Sequence, residues 1–279
     1  MIKNSVAEGA LAGKKIAFIG AGFMGEAIIR GILKAGAASP TVITAHDPAP
    51  KALESLASLK VTLADSATAA VDEADIVVFA IKPQVMEKVA SSLKKGISKN
   101  TLVISIAAGV STTSLESWLD QGAKVVRAMP NMAASVGQSA TAICAGKAAG
   151  EGDMAVAQAM FEAVGGSVTV DESLMDAVTG LSGSGPAYVF MFLEGLIDAG
   201  VSCGLPRDAA TYLARQTLYG SALLAKESGE HPSILKERIT SPGGTTIAAL
   251  SALEGDGYRG SIIKAVRAAM ERSRELGKK

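Results

Sequence analysis

Two hydrophobic rhythms divide this chain. Up to about residue 171, short apolar runs recur without polar interruption, as in Ile76-Val77-Val78-Phe79-Ala80 and Leu102-Val103-Ile104-Ser105-Ile106. Runs of that kind fit strands covered on both faces, the condition found in a parallel sheet. They predict strands over Lys15–Gly20, Thr41–His46, Val61–Ala64, Asp75–Ile81, Thr101–Ala107 and Lys124–Met129. Helical spacing fills the intervals at Met24–Ala35, Lys51–Leu59, Gln84–Lys95 and Thr113–Leu119, the last with Thr113 and Glu116 at capping-box spacing. Alternating strand and helix predict an α/β fold built on a doubly wound parallel sheet. Ala140–Ala145 and Ser167–Val170 are candidates to extend it at one edge.

Beyond Asp171 the strand pattern stops. Helices are predicted at Leu174–Leu181, Pro186–Cys203, Pro206–Glu227, His231–Thr240, Thr246–Glu254 and Tyr258–Leu276, with Pro206 at a first helical position. The change of type places one domain at residues 1–171 and an all-α domain at 172–279. In the final helix Ile262, Val266 and Ala269 form an apolar stripe, with Lys264, Arg267 and Glu271 elsewhere. Ala187–Val201 is apolar on nearly every side, yet it is too short to span a bilayer and carries Glu194 and Asp198. It is expected to be buried inside the protein or between subunits, which predicts at least a homodimer.

Composition narrows the classes. Of 279 residues, 48% are hydrophobic and 19% charged, which suits a well-buried globular chain and excludes disorder. Lys+Arg and Asp+Glu each total 27, so no basic field is available for nucleic acid. Cys144 and Cys203 are far apart, lack metal-ligand spacing and are expected to be buried free thiols. Met1–Gly13 lacks the apolar run of a signal peptide and reads as a frayed lead-in. A soluble, cytoplasmic protein without metal or membrane partner is the expectation.

Gly20-Ala21-Gly22-Phe23-Met24-Gly25 follows the strand ending at Ile19 and opens a helix. In that setting Gly20 makes the tight turn, Gly22 admits a pyrophosphate to the backbone, and Gly25 permits close helix–strand packing. The helix N-terminus adds free N–H groups and a positive dipole end. About twenty residues on, His46-Asp47 ends the second strand, where an acid bonds the ribose hydroxyls of NAD. Asp47 would repel a 2′-phosphate, whereas His46 or Lys51 tolerates one; Asp47 is alternatively a turn residue before Pro48. Ala80-Ile81-Lys82-Pro83 and Ile106-Ala107-Ala108-Gly109 end two further strands in the crevice where α/β sheets bind ligands. Small residues there let a nicotinamide lie against backbone, while Lys82 reads equally as a surface lysine. Arg127-Ala128-Met129-Pro130-Asn131 ends a strand in the same region, as a site or as a plain turn.

Two glycine-rich loops mark the helical part, Leu181–Pro186 and Ser241-Pro242-Gly243-Gly244-Thr245-Thr246. The second precedes a helix start and offers hydroxyls and N–H groups to a carboxylate. No Tyr-x-x-x-Lys pair, Ser-His-Asp set or Cys/His cluster is apparent, and His46 and His231 sit in no acid/base motif. Reduction of a carbonyl calls for a proton donor at oxygen, whereas an imine can be protonated before hydride arrives. The pattern thus favours a C=N substrate.

Those motifs, in this order and over almost the full length, resemble the pyrroline-5-carboxylate reductases; the run Asp176–Tyr188 and the loop Ser241–Thr246 carry the specificity. The resemblance implies a Rossmann domain followed by a helical dimerisation domain, with dimers often assembled into decamers. It implies hydride transfer from NADPH or NADH to the C=N carbon of 1-pyrroline-5-carboxylate, giving L-proline in the last step of proline biosynthesis. It also implies that Ser241, Gly243, Gly244, Thr245 and Thr246 hold the substrate carboxylate, with Thr246 near the substrate ring as the catalytic candidate. Ile19, Gly20, Ala21, Gly22, Phe23, Met24, Gly25, His46 and Asp47 would bind the dinucleotide, and Ala80, Ile81, Lys82, Pro83, Ile106, Ala107 and Ala108 its nicotinamide side. Members favouring NADPH often carry hydroxyl or basic residues after the second strand. His46-Asp47 departs from that habit, so cofactor preference stays open. Many members also have an Asn near the position of Ala67. A β-hydroxyacid-type dehydrogenase shares the glycine turn but needs a lysine that Thr179-Gly180 does not offer; a nucleotide sensor without turnover leaves the Ser241–Thr246 loop unexplained.

Overall fold

The structure, a computed structural model, describes residues 7–277. Its eight described strands are β1 (Ile16–Ile19), β2 (Ile43–His46), β3 (Thr62–Leu63), β4 (Ile76–Phe79), β5 (Leu102–Ser105), β6 (Lys124–Met129), β7 (Ser139–Ala145) and β8 (Gly165–Thr169). They form one sheet in the order β3-β2-β1-β4-β5-β6-β7-β8. β1 to β6 are mutually parallel, β7 runs antiparallel to β6, and β8 runs parallel to β7. The first six follow the order of dinucleotide-binding sheets, with β7 and β8 added at one edge.

Side chains alternate across each strand, so the uninterrupted apolar runs feed two cores at once. Ile16, Phe18, Ile76, Val78 and Ile104 enter one core, where Ile28, Ile29, Ile32 and Phe161 meet them. Ala17, Ile19, Val77, Phe79 and Val103 enter the other, against Met86, Leu93 and Leu115. The first core lies under α1 (Ala7–Ala10), α2 (Phe23–Lys34), α3 (Pro50–Ala57) and α7 (Glu151–Glu162); the second lies under α4 (Ala67–Val71), α5 (Pro83–Leu93) and α6 (Thr112–Trp118).

Local chemistry departs from the sequence pattern at several points. The Thr113–Glu116 capping box does not form. Ser111 is the N-cap of α6 and its Oγ accepts from Ser114 N at 3.0 Å, so Thr113 already lies inside the helix. Glu116 instead accepts from Lys147 N at 2.6 Å. α7 has no counterpart among the predicted helices, because its alanines and glycine blur the apolar stripe; Asp153 holds its start by accepting from Gly150 N at 2.9 Å. Of the lead-in, residues 1–6 lie outside the described part. From Ala7 the chain is anchored rather than frayed, since α1 is helical and Leu11 is fully buried in the first core.

The described residues up to Ser184, together with those from Ala268 on, form one compact unit; Gly185–Arg267 forms the other. In the first, Met175 of α8 (Met175–Val178) packs on Ala142 and Cys144 of β7, and a π-turn at Thr179–Gly183 follows. The second holds α9 (Gly185–Ser202), α10 (Arg207–Ser228), α11 (Pro232–Arg238), α12 (Thr245–Gly255) and the first half of α13 (Tyr258–Gly277). Pro206 is the N-cap of α10 rather than its first residue. Gly200 lets α9 approach Ala210 of α10, and Arg207 pairs with Asp198 at 3.0 Å. No residue of α9 is buried within the chain, and Phe190 and Met191 are 54% and 76% exposed. Cys203, expected inside, is exposed as well.

Leu11→Ala should lower stability by about 2–5 kcal/mol, the usual cost of emptying a filled core site. Denaturant unfolding at constant m-value measures it; an unchanged midpoint would mean that Leu11 is not packed.

Candidate active site

The crevice arises from register. Ile19 pairs with His46 on one side and Phe79 on the other, and Phe79 pairs with Ser105, so the next residues emerge along one edge of the sheet. Backbone bonds close that edge: Gly20 N donates to His46 O at 2.8 Å, Ala80 N to Ile19 O at 2.8 Å, and Ile106 N to Phe79 O at 3.1 Å. Ile19–Gly25, His46–Asp47, Ala80–Pro83 and Ile106–Ala108 therefore lie together, as the sequence pattern predicts.

Gly20 has φ +102, and a Cβ there would strike the Ala80 carbonyl and sit 2.8 Å from Ile81 Cγ2. At Gly25 a Cβ would meet the Gly20 carbonyl and come within 3.3 Å of Ala80 Cβ. Gly22 differs: a Cβ there meets nothing within 4 Å, so its glycine leaves room outside the fold rather than within it. Gly22 is the N-cap of α2 with no side-chain cap, which leaves the first-turn amides at Phe23 and Met24 without a capping side chain. An uncapped start of a twelve-residue helix beside open space fits a dinucleotide pyrophosphate.

Asp47 spans the crevice. Its Oδ2 accepts from Ala21 N at 2.9 Å and its Oδ1 from Ala49 N at 2.8 Å, so it serves as a turn residue and also braces the glycine turn. His46 Nδ1 lies 2.9 Å from Ala64 O; a carbonyl only accepts, so Nδ1 carries the hydrogen. Lys82 is the exposed N-cap of α5, with Pro83 at its first position. Ala107 is buried, and Ile106 and Ala108 are half-buried.

The neighbouring loops are held by Arg127 and Asn131, which the sequence pattern singles out, and by Glu172 and Ser273, which it does not. Glu172 accepts from Thr112 N at 2.6 Å and from Thr112 Oγ1 at 2.5 Å, fixing the start of α6 just after Ile106–Gly109. Arg127 reaches the same carboxylate at 3.5 Å from a site only 5% exposed. Sixty residues separate Glu172 from Thr112, so no local spacing announces this contact. Asn131 donates from Nδ2 to Ser182 O at 3.1 Å, tying the π-turn to the end of β6. Ser273 donates to Asp176 at 2.7 Å, and the end of α13 lies against Gly109.

The loop Ser241–Thr246 belongs to the helical unit. Gly244 N donates to Ser241 O at 3.1 Å, Gly243 has φ +68, and Ser241 Oγ lies over Gly244 where a Cβ would clash. Gly244 then caps α12 with no side-chain bond, leaving the amides at Thr245 and Thr246 uncapped; Thr246 is half-buried. A second uncapped helix start suits a carboxylate. Among the described residues no three His, Cys, Asp or Glu side chains gather as metal ligands would, and no helix is long and apolar enough to cross a membrane.

A Rossmann-type sheet with an open glycine turn, followed in one chain by a helical unit, fits the class of nicotinamide-dependent oxidoreductases. Residues 172–276 match the family described as pyrroline-5-carboxylate reductase dimerisation, and residues 15–109 match NADP oxidoreductase, coenzyme F420-dependent. The pyrroline-5-carboxylate reductase of Methanosarcina acetivorans is 48% identical, covering 95% of this chain and 99% of that protein. The chain belongs to the pyrroline-5-carboxylate reductase family. The Arabidopsis thaliana enzyme of that name is 43% identical over 94% of this chain and 95% of its own length. Among solved structures, the Coxiella burnetii reductase aligns with TM-score 0.90 at 35% identity, covering 95% of this chain and 99% of that one. The Plasmodium falciparum reductase, solved with NADP bound, aligns at 0.86 with 33% identity, covering 95% and 98%.

Burial pushes the Cys144 thiol up to about 11, with Glu172 adding to the effect and Arg127 opposing it. Because the folded value is raised, this contribution to stability is complete below the unfolded value near 9.0 and is lost as pH rises towards 11. Iodoacetamide at pH 8 should leave Cys144 unlabelled in the folded protein and modify it after unfolding. Mass spectrometry reads the difference, and equal labelling in both states would refute it.

Proposed function

We propose that the chain reduces the C=N bond of 1-pyrroline-5-carboxylate to give L-proline, with NADPH or NADH as reductant. The observation that carries this reading is full-length identity of 40–48% to relatives named for that activity. Ile19–Gly25 and His46–Asp47 bind the dinucleotide, the first through the uncapped amides of α2. Ala80–Pro83 and Ile106–Ala108 form the wall against the nicotinamide. When bound, the reduced nicotinamide supplies the hydride. Ser241 and the amides from Gly243 to Thr246 orient the substrate carboxylate, and Thr246 sits near the ring. The imine nitrogen arrives already protonated, so no buried acid is required of the chain.

Residues 1–171 serve the nucleotide, and residues 172–279 serve substrate binding and association, a division supported by the start of the dimerisation match at residue 172. The exposed apolar side chains of α9 are the surface that a second copy covers, and decamers are the higher assembly we assign. We place the enzyme in the cytoplasm, and its zero net charge supports the absence of a nucleic-acid partner.

Purified protein should oxidise NADPH or NADH in the presence of pyrroline-5-carboxylate and form L-proline; no oxidation by folded protein would sink the assignment. Thr246→Ala should lower kcat/KM by about 10- to 100-fold, the worth of one hydrogen bond to a charged group, with nucleotide affinity nearly unchanged. An unchanged kcat/KM would remove Thr246 from the mechanism. Met191→Asp should shift sedimentation towards smaller species at micromolar concentration. Association as strong as that of the parent chain would exclude this face from the interface.

A further inference from the structure

We propose that Asp47 makes this chain discriminate against NADPH in favour of NADH. The inference rests on the dinucleotide reading of the glycine turn and deepens it.

Its carboxylate is fixed by two backbone donors from different segments, Ala21 N at 2.9 Å and Ala49 N at 2.8 Å. One oxygen is thereby pinned to the middle of Gly20-Ala21-Gly22, and the other to the start of α3. A side chain held at both oxygens cannot swing aside for an incoming anion without breaking a charge-assisted bond. Each carboxylate oxygen keeps a lone pair beyond the one its amide uses, so the group still accepts from a ribose hydroxyl. A 2′-phosphate offers no hydrogen to donate there and adds negative charge beside a fixed negative charge.

The cations nearby do not offset it. Arg30 on α2 is committed to Glu26 at 2.7 Å and to the Ser55 carbonyl at 2.8 Å. His46 spends its Nδ1 hydrogen on the Ala64 carbonyl. Lys51, in the first turn of α3, is exposed, so water and salt screen its attraction for a phosphate more than they screen the half-buried Asp47. The Plasmodium falciparum relative was solved with NADP bound; the preference proposed for this chain follows from its own Asp47.

Calorimetric titration of the full-length protein with NADH and with NADPH, without imine substrate, tests the proposal. The parent chain should bind NADH at least tenfold more tightly than NADPH. Asp47→Asn keeps an oxygen for Ala21 N but removes the charge, and should shrink that ratio at least tenfold, mainly by tightening NADPH. Asp47→Ser should do the same, and Asp47→Glu should retain the NADH preference; circular dichroism verifies that each is folded. Equal or tighter NADPH binding by the parent chain, or an unchanged ratio in the folded Asn and Ser variants, would overturn the role of Asp47. Binding of neither nucleotide by the folded parent chain would instead overturn the dinucleotide reading, and this proposal with it.

Discussion

The close approach of the Gly20 backbone to Ala80 is the constraint on which the site depends. With φ +102 and no room for a Cβ, Gly20 turns the chain out of β1 while its N–H still reaches His46 O. That turn points α2 outward at its uncapped end. It also lets Gly25 settle against the Gly20 carbonyl, so the helix packs directly over the strand it follows. Asp47 completes the arrangement from β2 by holding the Ala21 amide. Three strands thus share one small knot of backbone, and the open space beside Gly22 is its outer face.

The two cores explain why such a knot can be rigid. Alternate residues of β1, β4 and β5 enter opposite layers, so a shift of any strand by one residue would exchange the contents of both. Register is therefore determined by packing on either side of the sheet, and the strand ends stay in line. The site inherits its alignment from the hydrophobic pattern and adds little of its own beyond Asp47.

How much was legible in the sequence follows from the range of each contact. The continuous apolar runs announced β1, β4 and β5, and the glycine spacing announced the turn, because both signals are local. The helix at Glu151–Glu162 was not legible, since its buried residues, Ala157, Ala159, Met160 and Phe161, sit near one end and form no strong apolar stripe. Thr113 and Glu116 had the spacing of a capping box, but Ser111 caps the helix two residues earlier by accepting from Ser114 N, which leaves Thr113 no helix end to cap. The clasp of Glu172 on Thr112 and Arg127, and that of Ser273 on Asp176, join residues far apart in sequence. Such pairs leave no periodicity to read. The loop Ser241–Thr246 was legible as a helix start, because its glycines and hydroxyls are contiguous.

The return of Ala268–Gly277 to the sheet unit bears on the order of synthesis. The ribosome delivers every strand before it makes the helices of the second unit, and only afterwards makes the segment carrying Ser273. Until then Asp176 lacks its partner and the Gly109 loop lacks its cover. The nascent sheet unit therefore emerges whole in its strands but unfinished at the loop that follows β5, and waits through the translation of about eighty further residues before it can close.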